Sequence, residues 1–467
     1  MGLIGFKLAA NKLVILFVEI GVMMSFQAYI GRVVNLLNPD HNLLLNMDYD
    51  EACRRVRSGD TSAVREIDGQ FAILTNEGQD VHMARSIGRP MRYFLAKKAD
   101  GPCLFVAERI SEIANALNKE GLGDQFEASY TRMVPAHHVL KLKLIGCPDP
   151  NPHYDRYLKP TRNSLPANLD LIGEKYVGTL YREVNRWLDQ VERNEPIGVL
   201  FSGGIDSGAI LALLYAAILQ RKESPARLKA FTLSIDGTGH DVQQAFEFVE
   251  KMNAPMLLEV IETNADALDW REAIQVIEDY KPLDVQAATM GIALCRGIRN
   301  RYANWKWLVD GDGGDENLKD YPIEDNPELT IRSVLNNLML YHEGWGVHAI
   351  KHSLTFSGGQ SRGHVRTFAP AQHFGFSGFS PYTLPNVIEV AESIPFIELT
   401  DWDHQRLYQL KGQVIQRGIK KITGLDIPIF EKNRFQHGAV EIEKFQALFP
   451  ITEHEYRKEF QRTFAGV

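Results

Sequence analysis

The sequence has few cysteines, no excess of positive charge and no hydrophobic run that matches a membrane span. Its four cysteines among 467 residues are Cys53, Cys103, Cys147 and Cys295, at separations of 50, 44 and 148 residues. This spacing contains no CxxC pair and no dense disulfide framework, so it excludes the usual zinc-binding and small disulfide-rich folds. We therefore expect a reducing, cytoplasmic environment.

The charge balance and the hydrophobic runs exclude two further classes of protein. With 51 Lys+Arg against 59 Asp+Glu, the net charge is −8, whereas nucleic-acid binding requires clustered positive charge. The longest apolar stretch, residues 13–26, is interrupted by Glu19 and is shorter than the roughly 20 residues that span a bilayer. We interpret it as one or two buried strands, and we expect neither a nucleic-acid partner nor a membrane association.

The residue pattern changes along the chain and predicts two domains. Residues 1 to about 145 consist of short apolar runs separated by turn residues, with one amphipathic helix at 111–118, which is typical of a strand-rich domain. The proline-rich stretch from Gly146 to Pro166 is interpreted as a linker. We place the domain boundary near residue 160, giving domains of residues 1–160 and 161–467.

The second domain shows alternating strand and helix patterns. We predict a helix at 172–193, a buried strand at 197–201, a helix at 207–220, a strand at 228–233 and a helix at 242–252. Such alternation favours an α/β fold with a doubly wound parallel sheet. From about residue 327 onward the pattern is mostly helical.

A glycine-rich loop follows the first strand of this domain. Residues 202–207 contain Ser202, Gly203, Gly204, Asp206 and Ser207 directly between the strand and the next helix. Adjacent glycines allow backbone N–H groups to approach an anion, and the helix start adds its positive end. A carboxylate beside phosphate requires a bridging cation. The loop therefore predicts a pyrophosphate site with Asp206 as a Mg²⁺ ligand, and the simpler alternative is a tight turn.

An acidic loop follows a later apolar run. Residues 310–316 interleave four acidic residues with Gly311, Gly313 and Gly314. In a parallel sheet both loops lie at the carboxyl edge, where doubly wound folds bind ligands. We predict that Asp315 completes the metal site with Asp206, and that Asp312 faces the acyl substrate as a base or an orienting carboxylate. An exposed turn is the alternative.

Together these motifs resemble the PP-loop ATP pyrophosphatases, and among them the asparagine synthetase family. The loop at 202–207 resembles the family's Ser-Gly-Gly-x-Asp-Ser, and residues 311–316 resemble its Gly-Glu-Gly-Ser-Asp-Glu. The resemblance implies ATP and Mg²⁺ as cofactors, with Leu200, Leu233 and Gly311 near the nucleotide. The segment 432–438 resembles the family's Lys-x-x-Phe-x-x-Gly, which implies that Lys432 contacts phosphates and the developing charge.

The first domain resembles the αββα glutaminase of that family, an N-terminal-nucleophile hydrolase, without its catalyst. Residues 68–72, 84–88 and 105–108 resemble three motifs of the glutaminase, but Gly2 stands where the family has its nucleophilic cysteine. The nearest cysteine, Cys53, is too far along the chain to become a terminal nucleophile. The resemblance therefore implies a degenerate domain that does not supply ammonia from glutamine.

The resemblance implies an AMP-forming amide synthetase that joins a substrate carboxylate to an amine. Related enzymes without glutaminase activity include β-lactam synthetases and lasso-peptide cyclases, so an intramolecular cyclase stays an alternative. The family's Glu-x-Arg-x-Pro-Phe-x-Asp is replaced by Ser377 to Leu384, which argues against free aspartate as the substrate. A tRNA-modifying PP-loop enzyme and a nucleotide-binding scaffold are the other hypotheses. The sequence leaves a homodimer open.

Overall fold

The computed structural model describes residues 31–145, 151–237, 240–321, 323–324, 330–336, 364–430 and 442–464. Four positions used in the sequence predictions lie outside the described residues: Gly2, the stretch 13–26, Cys147 and Lys432.

The N-terminal module, residues 31–156, contains two four-stranded sheets and a short ribbon. The sheets have the strand orders β1-β7-β6-β8 and β10-β9-β5-β4, and β2 pairs with β3. The strands are β1 (Arg32–Asn35), β2 (Leu43–Leu44), β3 (Gly69–Gln70), β4 (Ala72–Glu77), β5 (Asp80–Arg85), β6 (Arg92–Lys98), β7 (Gly101–Ala107), β8 (Arg132–Met133), β9 (His138–Lys143) and β10 (His153–Arg156).

Three helices cover the outer faces of these two sheets. Apolar residues of both sheets, among them Met83 and Leu104, form a core between them. Helices α1 (Tyr49–Arg57) and α2 (Thr61–Arg65) cover the outer face of the β4–β5 sheet, and α3 (Ile110–Lys119) covers the outer face of the β6–β7 sheet. Because both faces of its sheet are covered, β7 is buried along its whole length.

The proline-rich stretch is not simply a linker. Within it, β10 pairs antiparallel with β9, for example Tyr154 with Leu140, and the Tyr154 hydroxyl lies 2.6 Å from that of Tyr93. The interpretation of the whole stretch as a linker was therefore wrong for residues 153–156. Proline is tolerated beside an edge strand because one side of that strand needs no ladder hydrogen bonds.

The C-terminal module, residues 169–464, is built around a five-stranded parallel sheet. Its order is β13-β12-β11-β14-β15. The strands are β11 (Ile197–Leu200), β12 (Leu228–Ile235), β13 (Leu258–Thr263), β14 (Trp307–Val309) and β15 (Ser377–Phe379). The prediction of a mixed α/β protein with a parallel sheet is confirmed. The expectation of mostly helix after residue 327 missed β15, which is only three residues long and begins with Ser and Gly.

Helices lie on both faces of this sheet. One core joins α4, α5, α6 and α14 to the sheet, and a second joins α7, α8 and α16 to its other face. The helices are α4 (Leu169–Leu188), α5 (Ile205–Gln220), α6 (Asp241–Lys251), α7 (Trp270–Ile277), α8 (Pro282–Arg301), α9 (Gly314–Leu318), α10 (Ile331–Asn336), α11 (Ala369–His373), α12 (Pro385–Glu392), α13 (Phe396–Thr400), α14 (His404–Thr423), α15 (Ile442–Leu448) and α16 (Glu453–Phe464). Within the described ranges, no helix has both the length and the apolar character that a membrane crossing requires.

Buried ionic contacts join the two modules. Glu278, which is 3% exposed, pairs with Arg92 at 2.9 Å. Its carboxylate also accepts the backbone N–H of Ile110, at 2.8 and 2.9 Å, at the start of α3. A carboxylate is favourable at this position because the N-terminus of a helix carries positive charge. This residue therefore couples the C-terminal module to the N-terminal module.

Candidate active site

The two predicted loops meet at the centre of the parallel sheet. Strands β12 and β13 lie on one side of β11 in the sheet, and strands β14 and β15, which come later in the chain, lie on its other side. The strand order therefore reverses between the neighbouring strands β11 and β14, which is where open α/β sheets bind ligands. The phosphate loop (residues 201–207) follows β11 and the acidic loop (residues 310–316) follows β14, so both lie at this switch point.

The phosphate loop turns directly into α5. Gly203 has φ +76°, and a Cβ there would lie 2.7 Å from the backbone N of Ala245 in α6, so only glycine fits. The Gly204 N–H donates to Ser202 Oγ at 3.3 Å, and Ser207 Oγ donates to the Gly204 carbonyl at 3.4 Å. Gly204 is the N-cap of α5 and has no side chain to occupy the helix end. The N-terminus is thus arranged to receive an anion.

The acidic loop packs against the start of α5 through its glycines. A Cβ at Gly311 would lie 2.5 Å from the backbone N of Ser207, and a Cβ at Gly314 would lie 2.3 Å from Asp206 Oδ1. Gly313 adopts φ +99° as the N-cap of α9. These close approaches bring the carboxylates of Asp206 and Asp315 to the same place.

The side chain of Lys411 lies between those carboxylates. Lys411 projects from α14 and is 3% exposed. Its Nζ lies 2.5 Å from Asp206 Oδ2 and 3.2 Å from Asp320 Oδ2, and it also contacts Asp315 Oδ1. Burial disfavours the ammonium, but the three carboxylates outweigh this effect and raise the pKa of Lys411 well above its ordinary value. The two predicted metal ligands therefore share one cation position, which an ammonium occupies.

This arrangement fits a magnesium ion that binds together with phosphates. No group of three or more His, Cys, Asp or Glu side chains within the described ranges forms a complete metal cage. Mg²⁺, however, is commonly held by one or two carboxylates together with phosphate oxygens and waters. The carboxylates of Asp206 and Asp315 supply hard oxygen donors of this kind, and they already converge on a single positive charge.

Asp310 and Asp312 form a second carboxyl pair beside the metal site. Thr367 Oγ1 lies 3.0 Å from Asp310 Oδ2 and 2.5 Å from Asp312 Oδ2. Asp310 also accepts the Ser380 hydroxyl at 2.8 Å and the Asp312 N–H at 3.1 Å. Burial raises the pKa of both carboxyls, and the charge of Asp310 raises that of Asp312 further. The predicted substrate-facing residue, Asp312, therefore belongs to a pair.

Leu200 and Leu233, which the family resemblance places near the nucleotide, are buried, and so are Asp241 and Phe379. The side chains of Leu200 and Leu233 are buried in one core cluster, so only their backbones are available to a ligand. Asp241, the first residue of α6, is 5% exposed, and burial raises its pKa to about 7. In the position of the family's arginine, Phe379 is fully buried and stacks on Trp187 at 4.8 Å.

The cysteines of the described ranges are unsuited to nucleophilic chemistry. Burial raises the pKa of the Cys53 thiol in α1 and of the Cys103 thiol in β7, and it raises that of Cys295 to about 12. A reactive cysteine requires a lowered pKa. These three thiols are therefore structural.

Sequence reasoning missed Lys411, Asp310 and Thr367 as site residues. For Lys411 a signal was present: on α14 it follows Leu407 by four residues and precedes Ile415 by four, so a charge interrupts the apolar stripe. Asp310 lies in the acidic loop but had no assigned role. Thr367 lies in a π-helical turn at His364–Phe368, and no local pattern marks it.

A cavity of about 490 Å³ lies elsewhere, between the two modules. His41 and Glu108 line it from the N-terminal module, and Glu272, Gln372 and His373 line it from the C-terminal module. Its lining contains no residue of the phosphate loop or the acidic loop, so the chemistry described above is centred outside it.

The fold and the two loops define a nucleotide-binding α/β enzyme domain. Residues 180–372 match the family model described as asparagine synthase, which supports membership of the asparagine synthetase family. The match supports an ATP-dependent ligase that forms C–N bonds. It includes both loops and ends before Lys411. A search of curated proteins gives no significant match.

Proposed function

We propose that the protein is an AMP-forming amide synthetase that adenylates a substrate carboxylate and transfers the acyl group to an amine. The observation that carries this proposal is the shared cation position of Asp206 and Asp315 at the end of the phosphate loop. Breaking the bond between the α- and β-phosphates releases pyrophosphate. The leaving pyrophosphate is negatively charged, and a cation bound at this position would compensate that charge.

The protein's own residues have distinct roles in this reaction. The N–H groups at the start of α5 would bind the pyrophosphate, and Asp206 with Asp315 would hold a Mg²⁺ ion, which would supply charge compensation there. Lys411 fits a further contact, because its ammonium can turn from the carboxylates to phosphate oxygens when the cation binds. By the family resemblance, Lys432 supplies another positive charge. Preorganised charges of this kind stabilise the transition state more than the ground state.

We further propose that glutamine does not supply the amine. The N-terminal module keeps two sheets between helical layers, but Cys53 and Cys103 lie within α1 and β7 and so do not match the family's terminal nucleophile. The raised thiol pKa values of Cys53 and Cys103 argue against a replacement. An assay for glutamate release from glutamine is expected to show none above a heat-inactivated control. Glutamate release that depends on the intact protein would contradict this part.

The acyl donor is proposed to differ from free aspartate. The position of the family's substrate arginine holds Phe379, which is buried against Trp187. The α-carboxylate of a free amino acid therefore lacks the expected cation at this position. This observation favours an intramolecular cyclase as the second candidate. Product mass distinguishes the two: cyclisation loses one water from one substrate, while intermolecular synthesis joins two.

The remaining alternatives have less support. A thiolating tRNA enzyme requires a reactive cysteine, and Cys295 has a thiol pKa of about 12 and no exposure. A nucleotide-binding scaffold would bind ATP without releasing pyrophosphate.

Pyrophosphate release tests the proposal directly. The intact protein, ATP and Mg²⁺ are screened with amino acids, β-amino acids and peptides, with ammonia or hydroxylamine as the amine. Substrate-dependent pyrophosphate and AMP are the expected products, and Asp315→Asn should reduce their formation by about 100-fold or more. ADP and phosphate as products, or ATP binding with no turnover across the screen, would contradict it.

A further inference from the structure

The hydroxyl of Thr367 lies between two carboxyl groups. Its oxygen is 3.0 Å from Asp310 Oδ2 and 2.5 Å from Asp312 Oδ2. A hydroxyl has one proton and can donate it to only one of these oxygens. If both carboxyls were ionised, one of the two contacts would place the hydroxyl oxygen beside a carboxylate oxygen with no proton between them, which is repulsive. One carboxyl must therefore carry a proton and donate it to Thr367.

The remaining contacts show which carboxyl is ionised. Asp310 accepts the Ser380 hydroxyl at 2.8 Å and the backbone N–H of Asp312 at 3.1 Å, in addition to Thr367. Three donors stabilise a carboxylate and lower its proton affinity. The hydrogen bonds therefore run from the protonated Asp312 to Thr367 and from Thr367 to the ionised Asp310.

The charged groups around the pair are consistent with a single negative charge. Arg366, on the same π-helical turn as Thr367, lies 3.2 Å from Asp284 of α8, and its charge also acts on Asp312, where it lowers the carboxyl pKa. Glu316 of α9 adds negative charge close to Asp312. Burial and the charge of Asp310 both raise the pKa of Asp312. These two effects outweigh the charge of Arg366, and this balance favours a single negative charge on the pair.

We propose that Asp310, Thr367 and Asp312 form a proton relay in which Asp310 is the positioning residue that finally stores the proton of the attacking amine. The catalytic part of this inference rests on the proposed amide synthesis. The shared proton itself does not, because it follows from the hydrogen-bond geometry of the free protein.

The relay balances the acyl-transfer step. The amine nitrogen forms a bond to the acyl carbon, and the bond from that carbon to the AMP oxygen breaks. One amine proton passes to Asp312 Oδ1. The proton on Asp312 Oδ2 moves to Thr367 Oγ1, and the Thr367 proton moves to Asp310 Oδ2. The pair then holds two protons in place of one, and AMP leaves with the electron pair of the broken bond.

Infrared spectroscopy of the full-length protein tests the shared proton without any substrate. The carbonyl band of a protonated carboxyl group, identified by its shift in D₂O, is followed through a pH titration. Besides the band of Asp241, whose pKa is about 7, the wild type should show one protonated carboxyl at neutral pH that is lost in both Asp310→Asn and Asp312→Asn, and Thr367→Ser should retain it. Asp241→Asn is the matched control, since it removes a different buried carboxyl and should leave this band. An unchanged band in both Asp310→Asn and Asp312→Asn would overturn the proposal.

Kinetics then test the relay. Once a carboxylate substrate is known, hydroxylamine serves as the amine, and hydroxamate formation is compared with pyrophosphate exchange. Thr367→Val and Asp310→Asn should slow hydroxamate formation by about 100-fold or more, as for loss of a general base, while exchange falls much less. Thr367→Ser should restore it. Equal losses in both assays, or no loss in Thr367→Val, would refute the relay. If no acid supports exchange, the proposed synthetase activity fails while the infrared result still decides the shared proton.

Discussion

The buried side chain of Lys411 compensates negative charge at the candidate site. It is buried among the carboxylates of Asp206, Asp315 and Asp320. The cation stabilises the folded protein when magnesium and nucleotide are absent, because it compensates charges that are held close together.

Replacing Lys411 with a neutral residue should destabilise the folded protein. Lys411→Met leaves the carboxylates uncompensated, and breaking a buried ion pair in this way typically lowers the free energy of unfolding by about 3–5 kcal/mol. Added Mg²⁺ should recover part of the loss in Lys411→Met. The control is Lys420→Met on the same helix, whose exposed pair with Asp426 should contribute under about 1 kcal/mol. Urea denaturation with and without Mg²⁺ measures the unfolding free energy of both variants. An equally small loss in Lys411→Met and Lys420→Met would contradict this role of Lys411.

Asp241 should make stability depend on pH. Its pKa is raised from 3.8 to about 7 by burial, so the folded protein binds this proton more tightly than the unfolded chain. The stabilisation is complete below pH 3.8 and is lost as pH rises through about 7.

The test is Asp241→Asn. Relative to the wild type, the variant should gain up to about 4 kcal/mol in unfolding free energy at pH 8, from about three pKa units, and little at pH 4. Denaturation at the two pH values measures this difference, with the exposed Asp266→Asn as control. A gain that is the same at both pH values would rule out titration of Asp241 as the cause.

Glycines in the loops allow secondary-structure elements to pack closely at the site. Gly203 has φ +76°, and a Cβ added there would lie 2.7 Å from a backbone nitrogen of α6, whereas Gly424 has φ +74° with open space around it. The two positions thus share the backbone conformation and differ in the contact with α6.

Alanine at these two positions separates conformational strain from contact. Gly424→Ala should cost about 1–2 kcal/mol for the left-handed conformation alone. Gly203→Ala should cost more, because α6 must move away, and it should also weaken ATP binding. Thermal denaturation and equilibrium binding of ATP measure these effects. Equal losses of stability with unchanged ATP binding would show that the α5–α6 contact is unimportant.

Periodic elements were predictable from the sequence, and long-range contacts were not. The helix predicted at 172–193 is Leu169–Leu188, and the strand predicted at 197–201 is Ile197–Leu200, because apolar periodicity reports burial directly. Both loops were recognised because each combines closely spaced glycine and aspartate directly after an apolar run. Thr367 and Lys411, however, reach the site from elements far beyond the acidic loop in the chain, where no local pattern records the contact.

In the molecule as a whole, buried charges hold the N-terminal module to the C-terminal module. Glu278 compensates Arg92, which is 1% exposed, and binds the start of α3. This interface gives the module a structural role that is independent of any glutaminase chemistry.

Neutralising Glu278 tests this role. Glu278→Gln removes the carboxylate that contacts the buried Arg92 at 2.9 Å and should lower the unfolding free energy by about 3–5 kcal/mol. Amide hydrogen exchange in α3 and β6 should accelerate. The control is Glu389→Gln, whose partly exposed pair with Arg65 also joins the two modules and should matter little. Unchanged exchange in α3 would show that Glu278 does not couple the modules.

We propose that the phosphate loop and the acidic loop together bind the metal and the pyrophosphate of an adenylation reaction. The most direct measurement is substrate-dependent pyrophosphate release by Asp206→Asn, compared with the wild type and with Asp266→Asn at saturating ATP and Mg²⁺. The account predicts a loss of about 100-fold or more for Asp206→Asn and wild-type activity for Asp266→Asn. A fully active Asp206→Asn variant would contradict it.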